Sequence, residues 1–235
     1  MSENAHVDQP EKSPIELAID IFMSPRTAFE HIVQKPTWVV PIVLVIVVGC
    51  IWAVLTAPLM MDFQYEMMSS IEKFPAAQLE EMANNENNYA WVTPIIATPI
   101  IFLIITGVYL LTGNFIFGGQ ATFKQVWSVV CWSWVINIVG SSIMFGSMLG
   151  LGEFGSATSL AFIFGIEKYS LAFFIFNQID LLVLWQVAVA GIGLSVLYNF
   201  SQVKGISITI FWWLLFVISM AGLSRLPFIM MGDGA

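Results

Sequence analysis

The chain has 235 residues, of which 58% are hydrophobic and only 10% are charged, and its mean hydropathy is +0.83. A soluble domain is about half apolar and about a quarter charged, so this composition excludes an ordinary soluble domain and indicates a protein of the lipid bilayer. The net charge of −8 argues against nucleic-acid binding, because no run of the sequence offers a basic patch to the phosphates of a nucleic acid.

The N-terminal part is polar first and amphipathic afterwards. Residues 1–13 are predicted to form a disordered tail. Residues 14–37 are predicted to form two short amphipathic helices that lie on the membrane surface, with a soluble helical hairpin as the alternative. The second helix is expected to begin at Ser24 and Pro25, which suit the N-cap and the first helical position. The predicted apolar sides consist of Ile15, Ile19 and Phe22 in the first helix and of Phe29, Ile32 and Val33 in the second.

Residues 38–226 are predicted to form an all-α membrane domain with five transmembrane helices. Each apolar run has the roughly 20 residues that a helix needs to cross a bilayer. A polar loop, residues 61–90, follows the first span and contains a helix signal, FPAAQLEEMA, and residues 227–235 form a short C-terminal tail. The predicted spans are residues 38–60, 91–117, 123–149, 177–200 and 206–226.

The lysine and arginine residues predict the orientation. With the N-terminus inside, five of the eight lysines and arginines lie in inner segments and three lie in outer ones. Positive residues are enriched on the cytoplasmic side of membrane proteins. We therefore expect a cytoplasmic N-terminus and, after five spans, a C-terminus outside.

No arrangement of residues in the sequence is typical of an enzyme. The two histidines, His6 and His31, precede the first span, and no lysine lies deep in a span, so an intramembrane serine has no base. There is no HExxH-type zinc spacing and no P-loop, and the glycine-rich run GLGEFG, residues 150–155, has GxGxxG spacing but follows a predicted span and precedes no clear dinucleotide-binding fold. We therefore predict no catalytic residues, no metal and no cofactor.

Asp180 is the main candidate for chemistry, because intramembrane carboxylates are costly and often mark ion or proton paths. On a continuous helix Asn177 would share its face, and Asn137 in the third span is a candidate partner. The same carboxylate also suits a helix N-cap, since residues 181–200 alone give a helix of about 30 Å. A buried packing contact or a partner contact is a third interpretation, and the sequence leaves all three open.

Small residues mark two candidate helix-packing faces. Gly146 and Gly150 form a GxxxG pair, and Gly191 and Ser195 form a second small-xxx-small pair. Such residues let two helices approach closely in a membrane. Packing inside this bundle and pairing with another protein are both compatible with the pattern.

Two stretches resemble the Yip domain family. IFMSPRTAFEHIVQKPTWVVPIVL, residues 21–44, resembles the start of the domain, where a Ser-Pro helix precedes the first span. IDLLVLWQVAVAGIGLSVLYNFSQVKGISITIFWWLLFVI, residues 179–218, resembles its last two spans. The residues that carry this second likeness are Asp180, Trp185, Gly191, Gly193, Lys204 and Trp212 or Trp213.

The resemblance implies a non-enzymatic integral membrane protein, since no catalytic residues are established for that family. Its eukaryotic members interact with Rab GTPases, but this chain looks like the shorter bacterial branch, some members of which accompany ABC efflux systems. We therefore expect a bacterial inner-membrane scaffold or accessory subunit whose partners are the bilayer and either efflux transporter subunits or a second copy. Asp180 matches the family's acid before a span, which favours a helix start. The alternative function is a small transporter or lipid-handling protein with a polar path around Asp180.

Overall fold

The chain folds as an all-helical bundle in the computed structural model, which describes residues 12–70, 75–84, 89–152, 156–168, 170–224 and 226. Two predicted segments, residues 1–11 of the N-terminal tail and the C-terminal tail 227–235, lie outside the described residues. The helices are α1 (Pro14–Met23), α2 (Pro25–Gln34), α3 (Val39–Ser69), α4 (Ala76–Asn84), α5 (Val92–Leu110), a π-helical segment (Leu111–Ile116), α6 (Phe123–Ser133), α7 (Val135–Leu151), α8 (Leu160–Ile163), α9 (Leu171–Asn177), α10 (Leu181–Leu197) and α11 (Gln202–Ser224).

Four helical stretches in the described part are long and apolar enough to cross a membrane. The fourth predicted span, residues 177–200, differs from the expectation, because it contains the end of α9, a break and then α10. α10 has 17 residues, so it is about 26 Å long, slightly less than a typical hydrocarbon core of about 30 Å. A count of five spans is therefore not established. The four stretches are Val39–Ser69, Val92–Ile116, Phe123–Leu151 and Gln202–Leu223.

α3 is longer than the sequence indicated. It continues through residues 61–69, which were expected to begin the polar loop, and its 31 residues extend for about 46 Å. The extension contains neither glycine nor proline, so nothing in it terminates the helix. The helix predicted within the loop is present as α4.

The first helix begins with a capping box that the sequence analysis did not identify. The Ser13 side chain accepts a hydrogen bond from the Glu16 backbone N–H, and the Glu16 carboxylate accepts one from the Ser13 N–H.

The apolar side of α1 that packs on the protein consists of Leu17 and Ile21, whereas Ile15 is 73% exposed. Ile15 therefore does not pack on the protein, and whether it faces the membrane surface stays a prediction.

The second helix is anchored in the bundle. Pro25 opens it as predicted, although Ser24 makes no side-chain cap hydrogen bond. Phe29 and Ile32 are fully buried, and α2 packs against α6 and α10. The α1–α2 hairpin is thus part of the folded core, and its position relative to the bilayer stays a prediction.

α10 lies at the centre of the helix packing. It contacts α2, α6, α7 and α11. Gly193 lets α2 and α6 approach α10 closely. A Cβ at Gly193 would lie 3.0 Å from the Phe29 ring of α2 and 2.6 Å from the Val129 side chain of α6. The neighbouring Trp132 is 1% exposed and donates its ring N–H to the Thr37 carbonyl at 2.8 Å.

The second membrane-length helix ends in a π-helical segment that makes three separate contacts. The Thr112 hydroxyl accepts a hydrogen bond from the Trp212 ring N–H at 3.0 Å. Gly113 lies against Tyr198, because a Cβ at this glycine would be 2.0 Å from the tyrosine ring. Asn114 exchanges hydrogen bonds of 2.9 and 3.1 Å with the backbone of Ala121. π-Helical turns are rare and mark local adjustments of this kind.

Candidate functional site

Asp180 joins the start of α10 to the segment that follows α7. Its Oδ1 accepts a hydrogen bond from the Leu182 backbone N–H at 2.8 Å, which is N-cap geometry. Its Oδ2 accepts hydrogen bonds from the Ser156 hydroxyl at 2.8 Å and from the Thr158 hydroxyl. The residue is only 7% exposed. The carboxylate is therefore bound by donors from two segments, the first turn of α10 and the residues that follow α7.

These contacts offset the cost of burying a charged group. A buried carboxylate is tolerated when donors satisfy its oxygens, and the positive end of a helix adds to that stabilisation. An antiparallel bridge between Ser159 and Asp180 brings the backbones together at the same point. The geometry favours a cap and a tie between segments over an ion or proton path.

The three polar residues singled out in the sequence do not form one site. Asn177 is the last residue of α9, and the break before α10 means that it does not share a helical face with Asp180. Its Oδ1 is buried and has no hydrogen-bond partner in the described part of the chain. Asn137 lies on α7 and lines a separate cavity. No hydrogen bond between described residues joins Asn177 or Asn137 to Asp180.

The cavity at Asn137 lies between α3, α5 and α7 and has a volume of about 490 Å³. This volume is within the range of small-molecule pockets, about 300–1,000 Å³. Its walls are mostly apolar, with the side chains of Thr56, Thr93 and Ser141 among the polar groups. No charged residue is among those that line it in the described part of the chain.

Gly191 and Ser195 are used inside the bundle. A Cβ at Gly191 would lie 2.5 Å from the Ile206 Cα, and a Cβ at Gly205 would lie 2.2 Å from the Gly191 carbonyl oxygen. Ser195 is 2% exposed, and its Cβ would lie 2.9 Å from the same added Cβ at Gly205. The small residues thus let α10 and α11 approach closely, as expected for membrane helices.

Gly146 and Gly150 have a different environment. A Cβ at either position would meet no atom within 4 Å, and both residues are exposed. Val139 and Ile143 precede them on the same face of α7 and are 41% and 42% exposed. This face is therefore not covered by another described helix of the chain.

A second cluster of side chains was not predicted. The Lys204 ammonium lies 3.8 Å from the centroid of the Phe117 ring and 4.0 Å from that of Phe200, a double cation–π contact. Tyr198 stacks on Phe200 with ring centroids 5.3 Å apart. Of these contacts, only the spacing of Phe200 and Lys204, four residues apart, could have been recognised in the sequence.

Ser156 and Thr158 were also missed, because they follow a glycine-rich stretch and lie more than 20 residues before Asp180. Among the described residues, no three histidine, cysteine, aspartate or glutamate side chains come together as a metal site would require. The described polar groups are arranged around helix ends and helix contacts.

Comparison with known families gives one result that covers most of the chain. Residues 19–223 match the Yip1 domain, which defines a family of membrane proteins that is not known as enzymatic. Neither the curated proteins nor the solved structures include a match. The match agrees with the apolar helices of membrane-spanning length, which make this a multi-pass membrane protein. The chain belongs to the Yip1 domain family.

Proposed function

We propose that the chain is a non-enzymatic scaffold or accessory subunit of a membrane assembly, and that it binds a transmembrane helix of its partner on the outer face of α7. An ABC efflux system is the proposed assembly, because the resemblance to the bacterial branch of the family points to it. The membrane is proposed to be the bacterial inner membrane.

The observation that carries the proposal is the contrast between the two small-residue pairs. α11 packs directly against Gly191 and Ser195, whereas no atom lies within 4 Å of a Cβ added at Gly146 or Gly150. Helices associate in a membrane mainly through close packing, since the lipid is as apolar as the helix surface. An uncovered face that combines two glycines with exposed Val139 and Ile143 fits a partner helix.

The test is a mild-detergent pull-down of the tagged, full-length protein from native membranes, followed by mass spectrometry. The wild type should recover transporter subunits in stoichiometric amount. The double variant Gly146→Leu/Gly150→Leu should lose them, because leucine closes the face without straining the monomer. Gly107→Leu on α5 is the matched control, since its Cβ would also meet no atom within 4 Å.

A wild type that purifies as a clean monomer or homo-oligomer would contradict the accessory-subunit proposal. Equal loss of partner in Gly107→Leu would contradict the assignment to α7. Retention of the partner in the double variant would do the same.

The proposed orientation has a cytoplasmic N-terminus and a C-terminus outside. It rests on five inner and three outer lysines and arginines, and on α10 crossing the bilayer. Reporters fused after Phe200 and after Ala235 test both parts. With a cytoplasmic N-terminus and a crossing α10, the reporter after Phe200 should be cytoplasmic and the one after Ala235 outside, whereas an α10 that does not cross would reverse both. A cytoplasmic second reporter would contradict the orientation.

The alternative, a small transporter or lipid-handling protein, is supported by the cavity beside Asn137. Its proposed polar path around Asp180 is weakened by the separation of these two residues. Reconstitution of Asp180→Asn distinguishes the two functions. A neutralised proton carrier should lose transport while the protein still folds, whereas a scaffold should behave nearly as the wild type does, because asparagine also caps helices.

A further inference from the structure

A second, smaller cavity lies where the α1–α2 hairpin meets the beginning of the first membrane-length helix. Its volume is about 170 Å³. Three of the side chains around it are basic, although the whole chain carries a net charge of −8. The residues that define its character are Lys12, His31, Lys35, Thr37, Val40 and Trp132.

Two acidic groups in the described part of the chain near this cavity, Asp20 and Glu16, have partners of their own. Asp20 accepts a hydrogen bond from the Lys12 ammonium at 2.6 Å, which leaves that ammonium two further donors. Glu16 accepts the Ser13 N–H at 2.7 Å as part of the capping box. Neither carboxylate is among the residues that line the cavity. The lining itself therefore presents basic groups, and His31 and Lys35 lie one helical turn apart on the chain.

The opposite wall of the cavity is apolar and continues along the first membrane-length helix. Val40 is 41% exposed, and Trp38 at the start of α3 is 37% exposed, as is common for a tryptophan at the membrane boundary. From Val40 an exposed apolar row follows one face of the helix at helical spacing. That row consists of Val40, Leu44, Val47 and Ile51.

We propose that this cavity binds the phosphate of an anionic glycerophospholipid, whose acyl chains lie along the row Val40–Ile51 of α3. Lys12, His31 and Lys35 surround the headgroup. Basic pockets beside transmembrane helices bind anionic lipid headgroups in this way, because the cation meets the phosphate at the depth where the apolar surface begins. The lipid would also stabilise the junction between the hairpin and the bundle, since it contacts both.

The test is native mass spectrometry of the full-length protein in detergent, titrated with phosphatidylglycerol and with phosphatidylcholine of the same acyl chains. The wild type should prefer phosphatidylglycerol. The double variant His31→Gln/Lys35→Gln should bind it about fivefold or more weakly, the effect of at least one basic residue at an anionic lipid. Lys35→Arg should bind as the wild type does, and Lys124→Gln, an exposed lysine at the start of α6, is the control.

A second measurement needs no variant. Phosphatidylglycerol with a photoreactive acyl chain should form adducts on residues 39–51 of α3. Adducts confined to other helices would overturn the proposal, as would unchanged affinity in the double variant or equal weakening in Lys124→Gln. Inorganic phosphate is added alone and as a competitor. If it displaces the lipid at a lower concentration than phosphatidylglycerol itself requires, the site takes free phosphate and the lipid assignment is wrong.

Discussion

Replacement of Asp180 by alanine removes three hydrogen-bond acceptor contacts at one point. Loss of the N-cap contact costs about 1 kcal/mol, and hydrogen bonds to a charged group contribute about 1.5–3 kcal/mol each. Ser156 and Thr158 still lie 2.9 Å apart and can bond to each other, so the lower end of that range applies. We therefore expect Asp180→Ala to lower the free energy of unfolding by about 4 kcal/mol.

Asp180→Asn separates the cap from the charge. Its side-chain oxygen can still accept the Leu182 N–H, and its amide can meet the two hydroxyls as a donor. We expect a loss of about 1 kcal/mol, the difference between charge-assisted and neutral hydrogen bonds. Glu167→Ala is the control, because this carboxylate belongs to the same inter-helix segment and is exposed.

The assay is denaturant titration of the purified protein in detergent, followed by the fluorescence of its nine tryptophans. If Asp180→Ala unfolds at the same denaturant concentration as the wild type, the carboxylate does not tie the segments together. If the asparagine variant loses as much as the alanine variant, the charge matters more than the cap, and the argument from cap geometry fails.

Three further predictions concern the α10–α11 contact, the Lys204 cation–π contact and the cap of α1. Gly205→Ala should lower the free energy of unfolding by about 3 kcal/mol, because its Cβ would lie 2.2 Å from a carbonyl oxygen of α10. Gly222→Ala is the control and should stabilise α11 slightly, because no atom lies within 4 Å of the added Cβ. Both effects are measured by denaturant titration. Lys204→Met should lose about 1–2 kcal/mol of cation–π stabilisation in the same assay, and Lys204→Arg should retain most of it. Hydrogen bonds from the backbone and side chain of Ser13 lower the pKa of Glu16, so its contribution to α1 is present at neutral pH and is lost as the pH falls below the ordinary glutamate pKa. Hydrogen exchange of α1 should show this acid dependence in the wild type and not in Glu16→Gln, and an equal dependence in both would contradict it.

Two helix starts were predicted from a local signal, whereas the capping box of α1 was missed. Pro25 marks the start of α2 and Asp180 marks that of α10, since proline and a carboxylate each satisfy a specific need of a helix N-terminus. Helix ends were harder to predict. α3 passes residue 60 because hydropathy falls there while helix propensity does not, and hydropathy alone placed the boundary.

The direction that α1 faces could not be predicted from its periodicity. Ile15 and Ile19 recur at helical spacing, and so do Leu17 and Ile21. Both sets form an apolar stripe, and only the position of the neighbouring helices decides which one packs on protein. In a membrane protein the other stripe has an apolar solvent available, so composition does not distinguish the two.

The contacts of Asp180 and Tyr198 were beyond sequence analysis for a different reason. Ser156 is 24 residues from Asp180, and Gly113 is far from Tyr198 in the chain. Nothing in a single sequence records which distant residues meet. Asn137 was recognised as polar, but nothing in the sequence indicated that it lines a cavity to which Asp180 does not belong.

The π-helical segment after α5 has an evolutionary consequence. An i to i+5 turn accommodates one residue more than an α-helical turn, and Thr112, Gly113 and Asn114, which make the three contacts described above, all lie in this wider segment. Deletion of one residue here would return the segment to α geometry and remove the position that the wider turn adds, while the residues before and after it keep their directions. We therefore expect a relative with a one-residue gap at this point to have an α-helical turn here and to lack at least one of these three contacts.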